Sequence, residues 1–178
     1  MTPNSNSPTH QQGAFERGSE ERARLLFHQA YQLHTQGKFR DAIRLYTKSI
    51  STYPTAEAHT FLGWAYSHFG NFKQAIEECK RAIDLDAEYG NPYNDIGAYL
   101  LELGNTEEAE YWLQRALHAP RYETPFFSRF NLGRMYQRQG KWFEAIQEFR
   151  EAYNMAQERG IEYHAALQAY LQLQAALN

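Results

Sequence analysis

The sequence predicts an all-α protein, an α-solenoid of four helix–turn–helix repeats followed by a C-terminal capping helix. The first observation behind this prediction is a series of glycines typical of turns, Gly37, Gly70, Gly104 and Gly140, which recur 33, 34 and 36 residues apart. One small residue in each first helix follows the same period, and two more follow it in each second helix. Four series that share one period indicate a repeat array.

The small residues indicate how the two helices of each repeat meet. The first-helix series is Ala30, Gly63, Gly97 and Gly133, and the second-helix series are Ala42, Ala75, Ala109 and Ala145, then Ser49, Ala82, Ala116 and Ala152. Members of the last two series stand seven residues apart, two turns along one helix face. Because these side chains lack bulk, the helix backbones can approach closely. Aromatics such as Tyr136, Trp142 and Phe149 fill the space beside them.

These landmarks divide the chain into six segments. Residues 1–18 are polar and rich in Pro, Ser, Asn and Gln, so we predict a disordered tail. Helical periodicity starts near Ser19, which can serve as an N-cap because two glutamates follow it. The predicted repeats span residues 19–55, 56–89, 90–123 and 124–160. Residues 161–178 form one more amphipathic helix, which we expect to cover the open face of the last repeat.

Composition excludes several classes of function. The formal net charge of −3 does not favour binding to a phosphate backbone, so no nucleic-acid partner is expected. The single cysteine, Cys79, cannot form an internal disulfide, which is typical of a reducing compartment. No apolar run approaches the roughly 20 residues of a membrane span, and the N-terminus lacks the features of a signal peptide. The sequence therefore predicts a cytoplasmic protein without membrane insertion.

The residue pattern contains no arrangement typical of catalysis, and we predict neither a catalytic site nor a metal or cofactor. No two of the seven histidines stand three or four residues apart, so no helix offers a two-histidine metal site. Cys79 occupies the position that holds Tyr46, Leu113 and Phe149 in the other repeats, which indicates a core residue rather than a nucleophile. Acidic pairs such as Glu77 and Glu78 are predicted to lie on outward, solvated faces. The protein is therefore expected not to be an enzyme.

The repeat unit resembles the tetratricopeptide repeat (TPR), a helix–turn–helix of about 34 residues. The resemblance covers roughly residues 22–159 and rests on the Leu/Ile-Gly pairs that end at Gly63, Gly97 and Gly133, although the first repeat has Gln29-Ala30 instead. It implies a right-handed α-solenoid. It also implies a scaffold or adaptor that binds another protein, without a cofactor.

In TPR proteins one face of the first helices lines a concave groove. The resemblance therefore implies a peptide-binding groove lined by Phe27, Tyr31, Thr60, Trp64, Asn91, Asn94, Phe127, Phe130, Arg134 and Arg138. Aromatic and arginine residues are enriched at binding hot spots. The expected partner is a peptide or helix with apolar anchors and an acidic group near the two arginines. Alternatively, Phe27 or Phe127 contacts only the neighbouring repeat, or the terminal helix fills the groove.

Three other functions known in similar families can be weighed against the residues. The TPR clamp for chaperone C-terminal tails needs Lys, Asn, Asn, Lys and Arg. If the clamp begins in the first repeat, the equivalent positions of this chain hold Phe27, Tyr31, Phe61, Asn91 and Asp95. If it begins in the second repeat, they hold Thr60, Trp64, Asp95, Phe127 and Asn131. Neither set matches the clamp. The segment 118–127 has a slight likeness to TPR factors of type IV pilus assembly. A pentatricopeptide-type RNA binder is disfavoured by the small-residue signature and the charge. The remaining alternative is a structural subunit that self-associates.

Overall fold

The computed structural model describes residues 8–177, with side chains described from residue 16 onward. Within that range the chain forms nine helices and no strand. The helices are α1 (Pro8–Thr35), α2 (Phe39–Thr52), α3 (Ala56–Ser67), α4 (Phe72–Leu85), α5 (Asn91–Glu102), α6 (Thr106–Leu117), α7 (Pro125–Arg138), α8 (Trp142–Glu158) and α9 (His164–Leu177). The predicted all-α class is confirmed.

The helices pack as four consecutive pairs. The odd-numbered helices α1, α3, α5 and α7 each pack mainly against the next helix in the chain, and they also contact one another in order along one side of the array. The four turn glycines all have positive φ, from 72° to 81°, a conformation that costs glycine little. The first-helix small residues allow close approach. A Cβ built on Gly133 would lie 2.6 Å from Cδ1 of Phe149 on α8.

The core lies between the paired helices. Tyr46, Leu113 and Phe149 are almost completely buried at the equivalent positions of three second helices. Cys79 takes this position in α4 and is fully buried, as the sequence predicted. Burial raises the pKa of its thiol well above the usual value, so the thiol is protonated at neutral pH.

The first helix begins earlier than the sequence predicted. Helix α1 starts at Pro8, so Ser19 lies within the helix and is not its N-cap. Proline is favourable in the first helical turn, where its missing N–H has no intrahelical partner to lose, and no further proline interrupts residues 9–35. The expected disordered tail therefore does not describe residues 8–18. Its remaining part, residues 1–7, lies outside the described residues.

Two loops join the second, third and fourth repeats. The backbone N–H of Gly90, between α4 and α5, donates to the carbonyl of Arg121, between α6 and α7, at 2.9 Å. A Cβ on Gly90 would lie 2.3 Å from Cβ of Tyr122, so only glycine permits this approach. The Arg121 side chain also forms ion pairs with Glu57 and Asp86. This docking gives a structural role to the longer connection between the third and fourth repeats.

Helix α9 packs against α8 at the end of the array. Ala166 is fully buried in a cluster with Phe126, Ala152 and Ala156. Two turns further along the same helix face, Leu173 packs with Phe149 in the neighbouring cluster. Through these contacts α9 covers buried residues of the fourth repeat.

Candidate functional site

The first helices of the second, third and fourth repeats enclose a cavity of about 350 Å³. It is called the groove cavity below, and its lining consists of Thr60, Phe61, Trp64, Asn91, Asn94, Asp95, Thr124, Phe127, Phe130, Asn131 and Tyr163. The lining comes from α3, α5 and α7, together with the residue before α7 and the residue before α9. The side-by-side packing of the odd-numbered helices therefore creates the cavity directly.

Two aromatic walls flank the groove cavity. Phe61 and Trp64 form the wall on α3, with ring centroids 5.7 Å apart. On the other side, Tyr163 from the α8–α9 connection lies 5.4 Å from the ring of Phe127 and 5.3 Å from that of Phe130. Trp64 and Phe127 remain 43% and 39% exposed, which is high for rings of this size beside a core. These rings offer apolar surface to a ligand.

Helices α5 and α7 supply the polar floor of the groove cavity, whose side chains are held in place by hydrogen bonds. The amide oxygen of Asn94 accepts from Oγ of Ser128 and from Nδ2 of Asn131, both at 3.1 Å. The amide nitrogen of Asn94 donates to Oδ1 of Asp95 at 3.1 Å. Asn94 is buried, and these bonds use its oxygen fully. The amide of Asn94 therefore orients the floor of the cavity.

Asp95 is the one carboxyl group among the described residues that line the groove cavity, and its acidity is strongly perturbed. Burial raises its pKa to about 7, and the hydrogen bond from Asn94 only partly opposes this effect. The neighbouring Tyr99 and Tyr122 have raised pKa values because they too are buried, so both are neutral. The cavity therefore contains a carboxyl group that changes its charge near neutral pH.

The two predicted arginines lie beside the groove cavity and already have partners. Nη2 of Arg134 donates to Oε1 of Glu102 at 2.5 Å, and its Nη1 donates to Asn131 at 3.2 Å. Arg138 donates to the backbone carbonyl of Leu101, and its Nη2 lies 3.6 Å from Oε1 of Glu102. Two guanidinium groups thus share one carboxylate, and one positive charge is left over at this edge.

The ten predicted groove residues fall into three places. The residues that line the groove cavity are Thr60, Trp64, Asn91, Asn94, Phe127 and Phe130. Phe27 and Tyr31 instead pack edge-on against Phe61, with centroids 5.4 and 5.5 Å apart, and extend the aromatic wall toward the first repeat. Arg134 and Arg138 do not line the cavity, although Arg134 donates to the lining residue Asn131.

Sequence analysis missed Phe61, Asp95 and Asn131 as groove residues, along with Thr124 and Tyr163. The first three share one signal, since each stands two residues before the small glycine of its repeat. Tyr163 carried no such signal, because it belongs to the connection before α9 rather than to a repeat. Glu78 also differs from the prediction of a solvated face. It is buried and lies 2.6 Å from Nδ1 of His59.

Two arrangements are absent from the part of the chain that the structure describes. No group of three His, Cys, Asp or Glu side chains there could hold a metal ion. None of the helices in the described range is both long and apolar enough to cross a membrane.

Comparison with known proteins identifies the repeats. Tetratricopeptide repeat family models match residues 29–89, 93–119 and 129–159. The Pseudomonas aeruginosa pilF structure is similar with a TM-score of 0.79 and 21% identity, covering 89% of this chain and 70% of that one. PilW, a widely conserved type IV pilus biogenesis factor, gives 0.68 and 16%, covering 86% and 78%. At these identities both show the fold alone.

A third similar structure is the first TPR domain of Spaghetti (RPAP3), bound to the HSP90 peptide SRMEEVD. Its TM-score is 0.63 at 26% identity, and the match covers 68% of this chain and 95% of that one. Family models and structural neighbours agree on the repeat type, and TPR arrays are a non-catalytic type of scaffold for protein interactions. The chain belongs to the tetratricopeptide repeat family.

Proposed function

We propose that this protein is a non-enzymatic adaptor that binds a segment of a partner protein in the groove cavity. The observation that carries the proposal is the pair of aromatic walls, Phe61 and Trp64 facing Phe127, Phe130 and Tyr163, with open space between them. Helix α9 packs on α8 and contributes no residue to the lining, although Tyr163 just before it does. The groove is therefore accessible to a partner segment.

The expected chemistry of the segment follows from the two kinds of surface. Apolar anchors would pack against the exposed faces of the aromatic walls, where large rings contribute most of the binding energy. An acidic group would lie near Arg134 and Arg138, where one positive charge exceeds the single carboxylate of Glu102. This acidic group would compete with Glu102, so we expect it to contribute less than the anchors do. The side-chain amide of Asn91 lines the cavity, forms no hydrogen bond with the side chains of the described residues, and can bind the segment's backbone.

The RPAP3 domain shows that an array of this family can hold a peptide. Its chaperone peptide is not the partner proposed here, because the places of the carboxylate clamp hold residues of other types, such as Phe61 and Asp95. A role in type IV pilus assembly would rest on the fold of pilF and PilW alone. The cytoplasmic location expected from the sequence stays a prediction.

The test compares two tryptophans that are equally exposed but differently placed. Trp64 lies in the groove cavity and Trp142 lies at the start of α8, and each is 43% exposed. We expect Trp64→Ala to lose partner proteins that the parent chain captures from a lysate, and Trp142→Ala to retain them. For an identified partner, Trp64→Ala should weaken binding by about 2 kcal/mol, or about 30-fold in Kd. Retention by both variants would show that the groove cavity is not the binding site.

Self-association is the second candidate, and exposed leucines on α9 favour it. Leu171 and Leu177 are 51% and 43% exposed on the helix that ends the array. Sedimentation over a range of protein concentrations separates the two candidates. A mass that rises with concentration in the parent, and not in Leu171→Ser, would support an assembly subunit.

A further inference from the structure

Among the described residues that line the groove cavity, only Asp95 has a carboxyl group or a basic side chain, and no cation pairs with it. It forms no ion pair with any residue in the described part of the chain. Its one hydrogen-bond partner there is the amide of Asn94, which is itself fixed by Ser128 and Asn131. A carboxylate offers about four acceptor positions, so most of its capacity is unused.

The nearby charged groups are not free to serve Asp95. Arg121 is occupied by its ion pairs with Glu57 and Asp86. Arg134 is occupied by Glu102 and Asn131. A partly buried carboxylate without a counter-ion is unfavourable, and a ligand cation would relieve that penalty.

We propose that the groove cavity binds one basic side chain of the partner segment, a lysine or an arginine, with its charge on the carboxylate of Asp95. The proposal rests on the proposed function and names the chemistry of the segment's central anchor. The aliphatic stem would lie between the aromatic walls of Trp64 and Phe127, because long basic side chains bury their stems against apolar surface. Aromatic faces also attract cations, so the aromatic walls and the Asp95 carboxylate both favour a basic side chain.

The volume and the composition of the cavity agree with this occupant. About 350 Å³ is sufficient for one long side chain and lies at the lower end of the range for ligand sites. An acidic side chain would instead be repelled by Asp95. A purely apolar side chain would bury the carboxylate without a partner. A basic side chain is the occupant that satisfies both the rings and the charge.

Binding should become stronger as Asp95 ionises. The ionisable groups that line the cavity or lie close to Asp95 are Cys79, Tyr89, Tyr99, Tyr122 and Tyr163, together with the ion-paired Glu57 and Arg134. The thiol and the four phenols have pKa values raised by burial and stay neutral up to high pH. Asp95 is therefore the group whose charge changes near neutrality, and affinity for a cation should rise severalfold between about pH 6 and about pH 8.

The test uses the full chain carrying Trp112→Phe and Trp142→Phe, so that Trp64 in the cavity wall is the remaining tryptophan. The probes are N-acetyl-lysine amide, N-acetyl-arginine amide and the uncharged N-acetyl-norleucine amide, which shares the lysine stem. We expect saturable changes in Trp64 emission with the cationic probes, and binding of the norleucine probe that is about tenfold weaker. Lysine and arginine probes compared with each other tell which cation is preferred.

Two controls connect the preference to Asp95. Asp95→Asn should remove the difference between the lysine and norleucine probes, whereas Glu107→Gln, which removes an exposed carboxylate on α6, should keep it. In the chain with native Asp95, the pKa of its carboxyl group, followed by NMR, should fall when the lysine probe is added. It should not fall with the norleucine probe. This second measurement does not depend on how a variant folds.

Equal binding of the lysine and norleucine probes would overturn the proposal, as would the absence of any saturable change with a cationic probe. The proposed function is judged separately by the capture experiment with Trp64→Ala and Trp142→Ala. If that experiment succeeds while the probes show no charge preference, the groove binds a partner without a basic anchor. If Trp64→Ala retains every partner, the groove location itself fails.

Discussion

A carboxyl group in the wall of a cavity lowers the stability of the folded chain unless a cation or several donors compensate for lost hydration. Asp95 has one donor, Asn94, and its pKa is raised from 3.8 to about 7. The folded state therefore holds its proton more tightly than the unfolded state does. By linkage, the contribution of Asp95 to stability falls as pH rises from about 4 to about 7, and stays low above that.

Replacing Asp95 by asparagine should therefore stabilise the protein in a pH-dependent way. We expect Asp95→Asn to raise the free energy of unfolding by about 2–4 kcal/mol near pH 8 and to change it little near pH 4. Urea unfolding of both proteins at each pH measures the difference. Glu107→Gln is the matched control and should shift neither value by more than about 0.5 kcal/mol, because Glu107 is exposed. A stabilisation that is equal at both pH values would contradict the raised pKa.

At the residue scale, the sequence predicted which helix face a side chain lies on better than it predicted the contacts of that side chain. Trp64 and Phe127 could be placed on the groove face because their distance from a repeat glycine fixes their direction on the helix. Asp95 stands one residue after Asn94, a predicted groove position. Whether Asp95 also lines the groove depends on the distance between the neighbouring helices, which the sequence does not give. The pairing of Arg134 with Glu102 joins two repeats, and spacing within one repeat does not reveal it.

At the element scale, close contact between the two helices of a repeat depends on the absence of a side chain. A Cβ on Gly133 of α7 would meet the ring of Phe149 at 2.6 Å, and Phe149 is almost completely buried with little room to move. Gly97 meets Leu113 in the same way, at 2.5 Å. The glycine series therefore marks helix packing, whereas the turn glycines mark backbone conformation.

Adding one methyl group at Gly133 should therefore destabilise the fourth repeat. We expect Gly133→Ala to lower the free energy of unfolding by about 1–3 kcal/mol because it overpacks α7 against α8. Gly18→Ala in α1 is the matched control, since a Cβ there has nothing within 4 Å. That change should instead stabilise α1 by about 0.5–1 kcal/mol, the usual gain when alanine replaces glycine inside a helix. Thermal melts of the two variants should thus shift in opposite directions. Equal shifts would show that the contact with Phe149 is easily relieved.

The ends of elements were harder to predict than their packing. The start of α1 at Pro8 was missed because a polar composition argues for disorder even where the residues can continue a helix. The docking of Gly90 against Tyr122 was missed because it joins two loops about 30 residues apart in sequence, and repeat spacing gives no sign of such a contact. Both features depend on tertiary context rather than on periodicity.

At the scale of the whole molecule, stability passes from each repeat to the next. Each repeat contacts its neighbours in the array, and the first helices α3, α5 and α7 build the groove cavity together. In such an array, a change at one end weakens nearby repeats most and distant repeats least. The fourth repeat supplies one aromatic wall, so the stability of the C-terminal end bears directly on the binding site.

Removal of residues 161–178 should loosen that end and the groove together. The deletion uncovers Phe126, Ala152 and Ala156 of the fourth repeat and removes Tyr163 from the groove cavity. We expect hydrogen exchange to speed up most in α7 and α8 and least in α1 to α4, with a lower Tm. Removal of residues 174–178 is the control, because it keeps the buried contacts of Ala166 and Leu173. If the long deletion left exchange in α7 and α8 unchanged while abolishing concentration-dependent association, α9 would be an assembly surface rather than a cap.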